Sequence, residues 1–372
     1  MKSIAKLLLL LIISISFIYF MHTKNILDVK SLAYAIENNK KYLLLISILQ
    51  LLNCLFMTLR YHSLLKIFSI KTNLQNVTAA TFVSNGIGLW MPGSLAIIEV
   101  IRISLMLGAH YQKTDNYSNM TQIKNTNLAE LAAKSKLAAA SLFDRLIGFF
   151  VMLFFGSITT FIIYLQTIHL NDTLYSKNLL FLFSLSFILM LIIIVVPFLA
   201  KSIYFRRFLE RVERLILTTF KSGKMHLFFK KIFSEINSLL DVISLGIRSI
   251  RSFLGPIIYS FICLIMAVFG TYYSSIAISN PIPLHAIFAT VSILSIASLI
   301  PMGFGGVGGM QLVAVVLFSI FGISPQAASS AQLLQTSVNL LAITGVGLLF
   351  ARLSAGQIRA ILDARKKETV VS

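Results

Sequence analysis

Runs of about 20 apolar residues recur along this chain, and a helix of that length rises ~30 Å, enough to cross the hydrocarbon layer of a bilayer. Six stretches meet the requirement, at about 4–21, 42–59, 138–164, 179–200, 253–278 and 331–351. Composition agrees. Hydrophobic residues make up 57% of the chain and charged residues 12%, against roughly 25% charged in a soluble domain. The spans fill most of the 372 residues and leave no stretch for an independent soluble catalytic domain. The expected fold class is therefore all-α, a polytopic integral membrane helix bundle with about six full spans.

Two further apolar stretches do not read as simple spans. Residues 77–107 contain Asn85-Gly-Ile-Gly-Leu-Trp-Met-Pro-Gly93, and residues 284–322 contain Pro301-Met-Gly-Phe-Gly-Gly-Val-Gly-Gly309. Unwound backbone at membrane depth is tolerated only where it is buried in protein or lines a wet cavity, and paired interrupted segments in two halves of a chain mark midplane sites. Each stretch reads as a pair of short helices, a re-entrant or short-helix hairpin. The hinges are Gly86, Gly88, Pro92 and Gly93 in the first, and Pro301, Gly303, Gly305, Gly306, Gly308 and Gly309 in the second.

Basic residues set the orientation. Loop 201–251 carries Lys201, Arg206, Arg207, Arg211, Arg214, Lys221, Lys224, Lys230, Lys231, Arg248 and Arg251, and tail 353–372 continues the bias with Arg359, Arg365, Lys366 and Lys367. Both belong in the cytoplasm by the positive-inside rule. A cytoplasmic N-terminus satisfies the count only if each hairpin returns to the side it left, the first dipping in from the cytoplasm and the second from outside. This opposition resembles an inverted repeat. Loop 22–41 runs against it, since Lys24, Lys30, Lys40 and Lys41 would lie outside, offset in part by Asp28 and Glu37. The chain is expected to be one integral membrane domain, with a first half 1–164, loop 201–251, a second half 253–352 and the tail. Apolar residues at helical spacing among the basic ones of loop 201–251 predict two interfacial amphipathic helices on the anionic inner leaflet. Stretch 111–136, rich in Asn, Thr, Lys and Gln, reads as a partly mobile cytoplasmic loop.

The formal charge of +19 does not indicate nucleic acid, because Lys and Arg gather between spans and at the ends, where membrane surfaces account for them. Cys54 and Cys263 lie inside spans, which disfavours a disulfide or zinc framework. His22, His62, His110, His169, His226 and His285 are scattered without metal-ligand spacing, and no catalytic constellation can be nominated. No metal, cofactor or enzymatic activity is expected. Residues 4–21 have a signal-like basic flank but no small-residue cleavage site, so a retained first span is expected.

Ionisable residues inside spans are costly and therefore informative. Glu99 and Arg102 stand at i, i+3 after the first hinge, close enough to pair on one helix face. They read either as a site for an anionic headgroup, with Arg102 as the contact, or as a self-neutralising pair that lets the hairpin enter the bilayer. Asp144 and Arg145 are neighbours about 100° apart on a helix, so they cannot simply pair with each other. Near a helix start, Asp144 could serve the dipole and Arg145 could reach the interface. Gln311 follows the second hinge, while Gln332, Gln335 and Asn339 form a polar stripe facing a cavity or a neighbouring helix.

Met91-Pro-Gly93 with Glu99-Val-Ile-Arg102, then Phe143-Asp-Arg145-Leu-Ile-Gly148, then the 301–309 glycine segment resemble the transmembrane region of the lysylphosphatidylglycerol synthase family. The shared order extends across almost the whole chain. In full synthases that region is implicated in moving aminoacylated lipid between leaflets, while a separate cytoplasmic domain performs aminoacyl transfer. A chain ending at Ser372 has no room for that domain, so the resemblance implies a stand-alone flippase-like protein. It marks Pro92, Gly93, Glu99, Arg102, Asp144, Arg145, Pro301, Gly305, Gly306 and Gly308. It also exposes departures: an acidic residue is common in the family where Gln311 stands, and an arginine near Gln335. Losing that charge pair implies a retuned substrate or a lost transport function.

The expected function is flippase-like handling of an anionic lipid or lipid-linked saccharide in a bacterial or archaeal cytoplasmic membrane. The alternatives are a non-transporting scaffold for envelope lipid or glycan biosynthetic enzymes, and an integral membrane lipid transferase. The expected partners are membrane lipids of the anionic inner leaflet, with such enzymes as protein partners and no nucleic acid.

Overall fold

The structure, a computed structural model, describes residues 15–16, 18–91, 94–115, 126–168, 173–219, 225, 229, 233, 237, 250–297 and 309–353. In chain order its α-helices are α1 (Val29–Asn38), α2 (Lys40–Ile67), α3 (Leu74–Gly88), α4 (Ser94–Asp115), α5 (Thr126–Ile168) and α6 (Thr173–Lys201). They continue with α7 (Ile203–Thr219), α8 (Leu254–Ala277), α9 (Leu284–Ala297), α10 (Gly309–Ser319) and α11 (Pro325–Leu353). Among the described residues there is no strand. The chain is an all-α, multi-pass membrane bundle, and among the described residues five helices, α2, α5, α6, α8 and α11, are long and apolar enough to cross a bilayer. Residues 18–23 are helical, and the rest of the first expected span lies outside the described residues.

Local sequence sets several starts. The Asp28 carboxylate accepts from the backbone N–H of Lys30 and Ser31 at 3.0 and 3.2 Å, capping α1. Asn73 caps α3 by accepting from the N–H of Gln75 at 3.3 Å. Both caps supply acceptors for amides that the first helical turn leaves unbonded.

At the centre, α2 and α8 run antiparallel. Near one end the Asn39 amide donates to the carbonyl of Ala277 at 2.7 Å. Farther along, the Cys263 thiol faces the Asn53 carbonyl at 3.7 Å and Arg60 donates to Ser260 at 3.2 Å. Around this pair stand α5, with α6 packed against it, and α11.

The short helices form the two hairpins. With 15 residues in α3 and 14 in α9, neither can cross alone, because at 1.5 Å per residue each spans only about 22 Å. In the first hairpin, Val77 and Ala80 near the start of α3 share a core with Leu105 and Met106 of α4, packed on Leu64, Leu65 and Phe68 of the α2 end. The chain therefore enters and returns at the same end of the bundle. In the second, His285 at the start of α9 meets Phe321, just past α10, with ring centroids 6.3 Å apart. That opening lies beside Ala277 and Ile278, at the opposite end of α2. The hairpins thus open toward opposite ends of the molecule.

Small residues let α3 and α11 pack closely. A Cβ added at Gly347 would lie 2.8 Å from the Phe82 carbonyl oxygen, and one added at Gly86 would be 3.4 Å from Gly347 Cα. Across the same seam Phe82 and Phe350 stack at 5.3 Å, and the Trp90 indole donates to Thr344 at 2.8 Å. Such contacts hold apolar helices together in lipid, where burial from water supplies no net attraction.

Two expectations need correction. The stretch 111–136 is not largely loop: α4 runs to Asp115 and α5 starts at Thr126, so only 116–125 lie outside the described residues. The segment Leu128-Ala-Glu-Leu-Ala-Ala133 is made of strong helix formers, and their propensity prevails over the polar flank. Asp144 and Arg145 consequently stand about five turns into α5, too deep for Asp144 to serve the helix start. Of the two amphipathic helices expected in loop 201–251, the first is α7. It packs Phe205 and Leu209 on the core beneath the first hairpin and leaves Tyr204, Phe208 and Leu215 exposed. The second falls mostly outside the described residues.

Candidate functional site

Four of the six residues expected at a binding site meet in one buried ion network, joined by Arg60. Arg60 comes from α2, Glu99 and Arg102 from α4, and Asp144 and Arg145 from α5. Arg60 Nε donates to Asp144 Oδ1 at 2.6 Å, and Arg102 Nη2 donates to Asp144 Oδ2 at 3.0 Å. Arg102 Nη2 also donates to Glu99 Oε2 at 2.5 Å, while Arg145 Nε donates to Glu99 Oε1 at 2.6 Å. The two neighbours Asp144 and Arg145 serve different partners, as their divergent directions on a helix require.

Each of the four carboxylate oxygens is engaged by an arginine. Three guanidinium groups against two carboxylates leave one net positive charge. Removing charges from water costs several kcal/mol per ion unless geometry and hydrogen bonds compensate. Here the compensation is uneven. Arg102 is 0% exposed, and its Nε and Nη1 have no hydrogen-bond partner. Its guanidinium instead lies over the Tyr61 ring, 3.8 Å from the centroid, a cation–π contact worth up to about 2 kcal/mol when desolvated. The network is most accessible at its far end, where the side chains of Arg145 and Glu99 are 16% and 17% exposed.

A cavity of about 170 Å³ adjoins the network, lined by Arg60 and Arg145 together with Asn53, Gly148, Cys263 and Ser295. Its lining comes from α2, α5 and α8 and, through Ser295, from α9 of the second hairpin, while Arg145 links it to α4 of the first through Glu99. Gly148 makes room for the site. A Cβ there would stand 2.8 Å from Arg60 Nη1, so any side chain would displace the guanidinium.

The other candidates lie elsewhere. Gln335 accepts from Thr271 at 2.8 Å, three turns along α8 from Ser260, in an interhelical contact that also brings Gln50 and Gln335 against Gly270. Gln311 is buried in α10. Gly86 lies against α11, and Gly88 packs so closely on Ile98 that a Cβ would fall 2.4 Å from its Cγ1. Gly309 opens α10 and is buried. Pro92, Gly93, Pro301, Gly303, Gly305, Gly306 and Gly308 lie outside the described residues.

Sequence reasoning missed Arg60. It closes the apolar run 42–59, where an arginine reads as an interfacial anchor, but α2 continues to Ile67 and leaves Arg60 only 3% exposed. The signal was its spacing from other polar residues. Gln50, Asn53 and Arg60 stand at i, i+3 and i+10 and so share one face of a helix.

No curated protein and no solved structure matches the chain. A family model does, described as the lysylphosphatidylglycerol synthase TM region, and it matches residues 5–347, which include every member of the ion network. On that match the chain belongs to the lysylphosphatidylglycerol synthase transmembrane-region family.

Proposed function

We propose that this membrane protein moves an anionic lipid or lipid-linked saccharide between the leaflets of a bacterial or archaeal cytoplasmic membrane, without catalysing a covalent step. One observation carries the reading: a buried ion network with an excess positive charge borders a cavity in a bundle that holds two oppositely opening hairpins. Such a charge is costly in a bilayer, and a negative headgroup in the cavity would offset it. Arg60 and Arg145 are the headgroup contacts in this scheme, with Asp144 and Glu99 holding them and Arg102 as the buried hub. The open end of the first hairpin, beside basic α7, faces the cytoplasm together with both termini. Membrane lipids of the anionic inner leaflet are the partners.

The test is lipid movement in vesicles reconstituted with the full chain, followed by loss of fluorescence when a membrane-impermeant reductant reaches labelled lipids. Wild-type protein should accelerate exchange of an anionic lipid at least tenfold over empty vesicles, and Arg60→Ala should abolish the gain. Equal rates in protein-containing and empty vesicles would defeat the proposal.

The engagement of all four carboxylate oxygens within the protein favours a second reading, a non-transporting scaffold for envelope lipid or glycan enzymes. Wild-type vesicles that exchange lipid no faster than empty ones, with the protein folded, would support it.

A further inference from the structure

We infer that the cavity beside the ion network selects a lipid whose headgroup carries a single phosphodiester charge and no amine, and that it rejects the aminoacylated lipid named in the family's description. The inference rests on the lipid-handling reading above and specifies the substrate class of that site.

Charge is the first ground. Among the residues lining the cavity the ionised groups are Arg60 and Arg145, both cationic. The carboxylates behind them are saturated, since each oxygen of Asp144 and Glu99 is engaged by an arginine. A lysyl headgroup would bring ammonium groups toward two guanidinium groups, with no uncommitted carboxylate in the cavity lining among the described residues to receive them. A phosphodiester brings one negative charge against the network's one excess positive charge.

Size is the second ground. About 170 Å³ lies below the ~300 Å³ lower range of ordinary ligand pockets. A phosphate with a glycerol-sized substituent suits that space. A diphosphate would carry more negative charge than the network's one excess positive charge.

The neutral groups are the third ground. Asn53 brings a neutral amide side chain to the cavity lining beside the two arginines, so nothing anionic on that wall would hold an amine. Asn53 stands on the same face of α2 as Arg60, two turns away. A charge placed at this position would therefore act on the same headgroup that Arg60 meets.

The test scores binding instead of movement, so its failure is distinguishable from failure of the transport reading. Full-length protein in detergent is offered an equimolar mixture of phosphatidylglycerol, lysylphosphatidylglycerol and phosphatidylcholine, and retained lipid is counted by native mass spectrometry. Phosphatidylglycerol should be held at least tenfold over each of the others. Asn53→Asp, nearly isosteric, adds an uncommitted carboxylate and should reduce that preference at least tenfold in favour of the lysyl lipid. Soluble glycerophosphoglycerol should displace the lipid only at much higher concentration. Equal retention of the lysyl lipid by wild type overturns the inference, as does an unchanged order in a folded Asn53→Asp variant. Displacement by the soluble diester at equal concentration overturns its lipid part. The wild-type comparison stands even if the variant fails to fold.

Discussion

Asp144 is the residue on which the site turns. Its two oxygens hold Arg60 and Arg102 from separate helices, and all three side chains are almost wholly buried. Asp144→Asn keeps the shape but leaves two guanidinium groups facing a neutral amide, and breaking a buried pair in this way costs about 3–5 kcal/mol. Chemical denaturation in detergent should show that loss, with a much smaller one for Arg145→Gln, whose side chain is 16% exposed. Equal losses would mean that the network is not organised around Asp144. At this scale the sequence was partly legible. The cost of charge in a bilayer singled out Glu99, Arg102, Asp144 and Arg145, but it could not state who pairs with whom, because the bonds between helices join residues 42 to 84 positions apart. Arg60 escaped because an arginine at the edge of an apolar run and one inside a longer helix look the same until the helix end is known.

Among the elements, the first hairpin depends on a seam of small residues. Gly86 and Gly347 bring α3 and α11 into backbone contact, and Trp90 ties the tip of α3 to Thr344. Gly347→Leu would force the helices apart at the Phe82 carbonyl and disrupt the Phe82–Phe350 stack. Overpacking of this kind costs typically ~1–3 kcal/mol. Thermal unfolding in detergent should register the loss, whereas Gly345→Leu, with nothing within 4 Å of its added Cβ, should unfold as the wild type does. Spans and hairpins were readable beforehand because length and interrupted hydrophobicity are physical requirements of the bilayer. The extent of α5 was not. Its first turns, Thr126 to Lys136, have the polar composition of a loop and a helical propensity that composition alone does not reveal.

Across the whole molecule, two hairpins open toward opposite ends, and one cavity takes Ser295 from α9 of the second while Arg145 in its lining is held by Glu99 from α4 of the first. Residues of both halves of the chain therefore line one space. Membership of a lipid synthase's transmembrane-region family accords with lipid handling, while the charge of the cavity separates this protein from the lipid in that family's description. Photo-crosslinking from the headgroup shows whether a lipid headgroup occupies this cavity, as proposed. Phosphatidylglycerol carrying a photoreactive group on its glycerol, irradiated with the reconstituted protein, should label peptides containing Asn53–Met57 of α2 and Phe149–Met152 of α5, which line the cavity. Labelling at both should fall at least tenfold in Arg145→Gln. Label confined to outward apolar positions such as Leu348 and Leu349, which are 66% and 70% exposed, and unchanged by that substitution, would contradict the account.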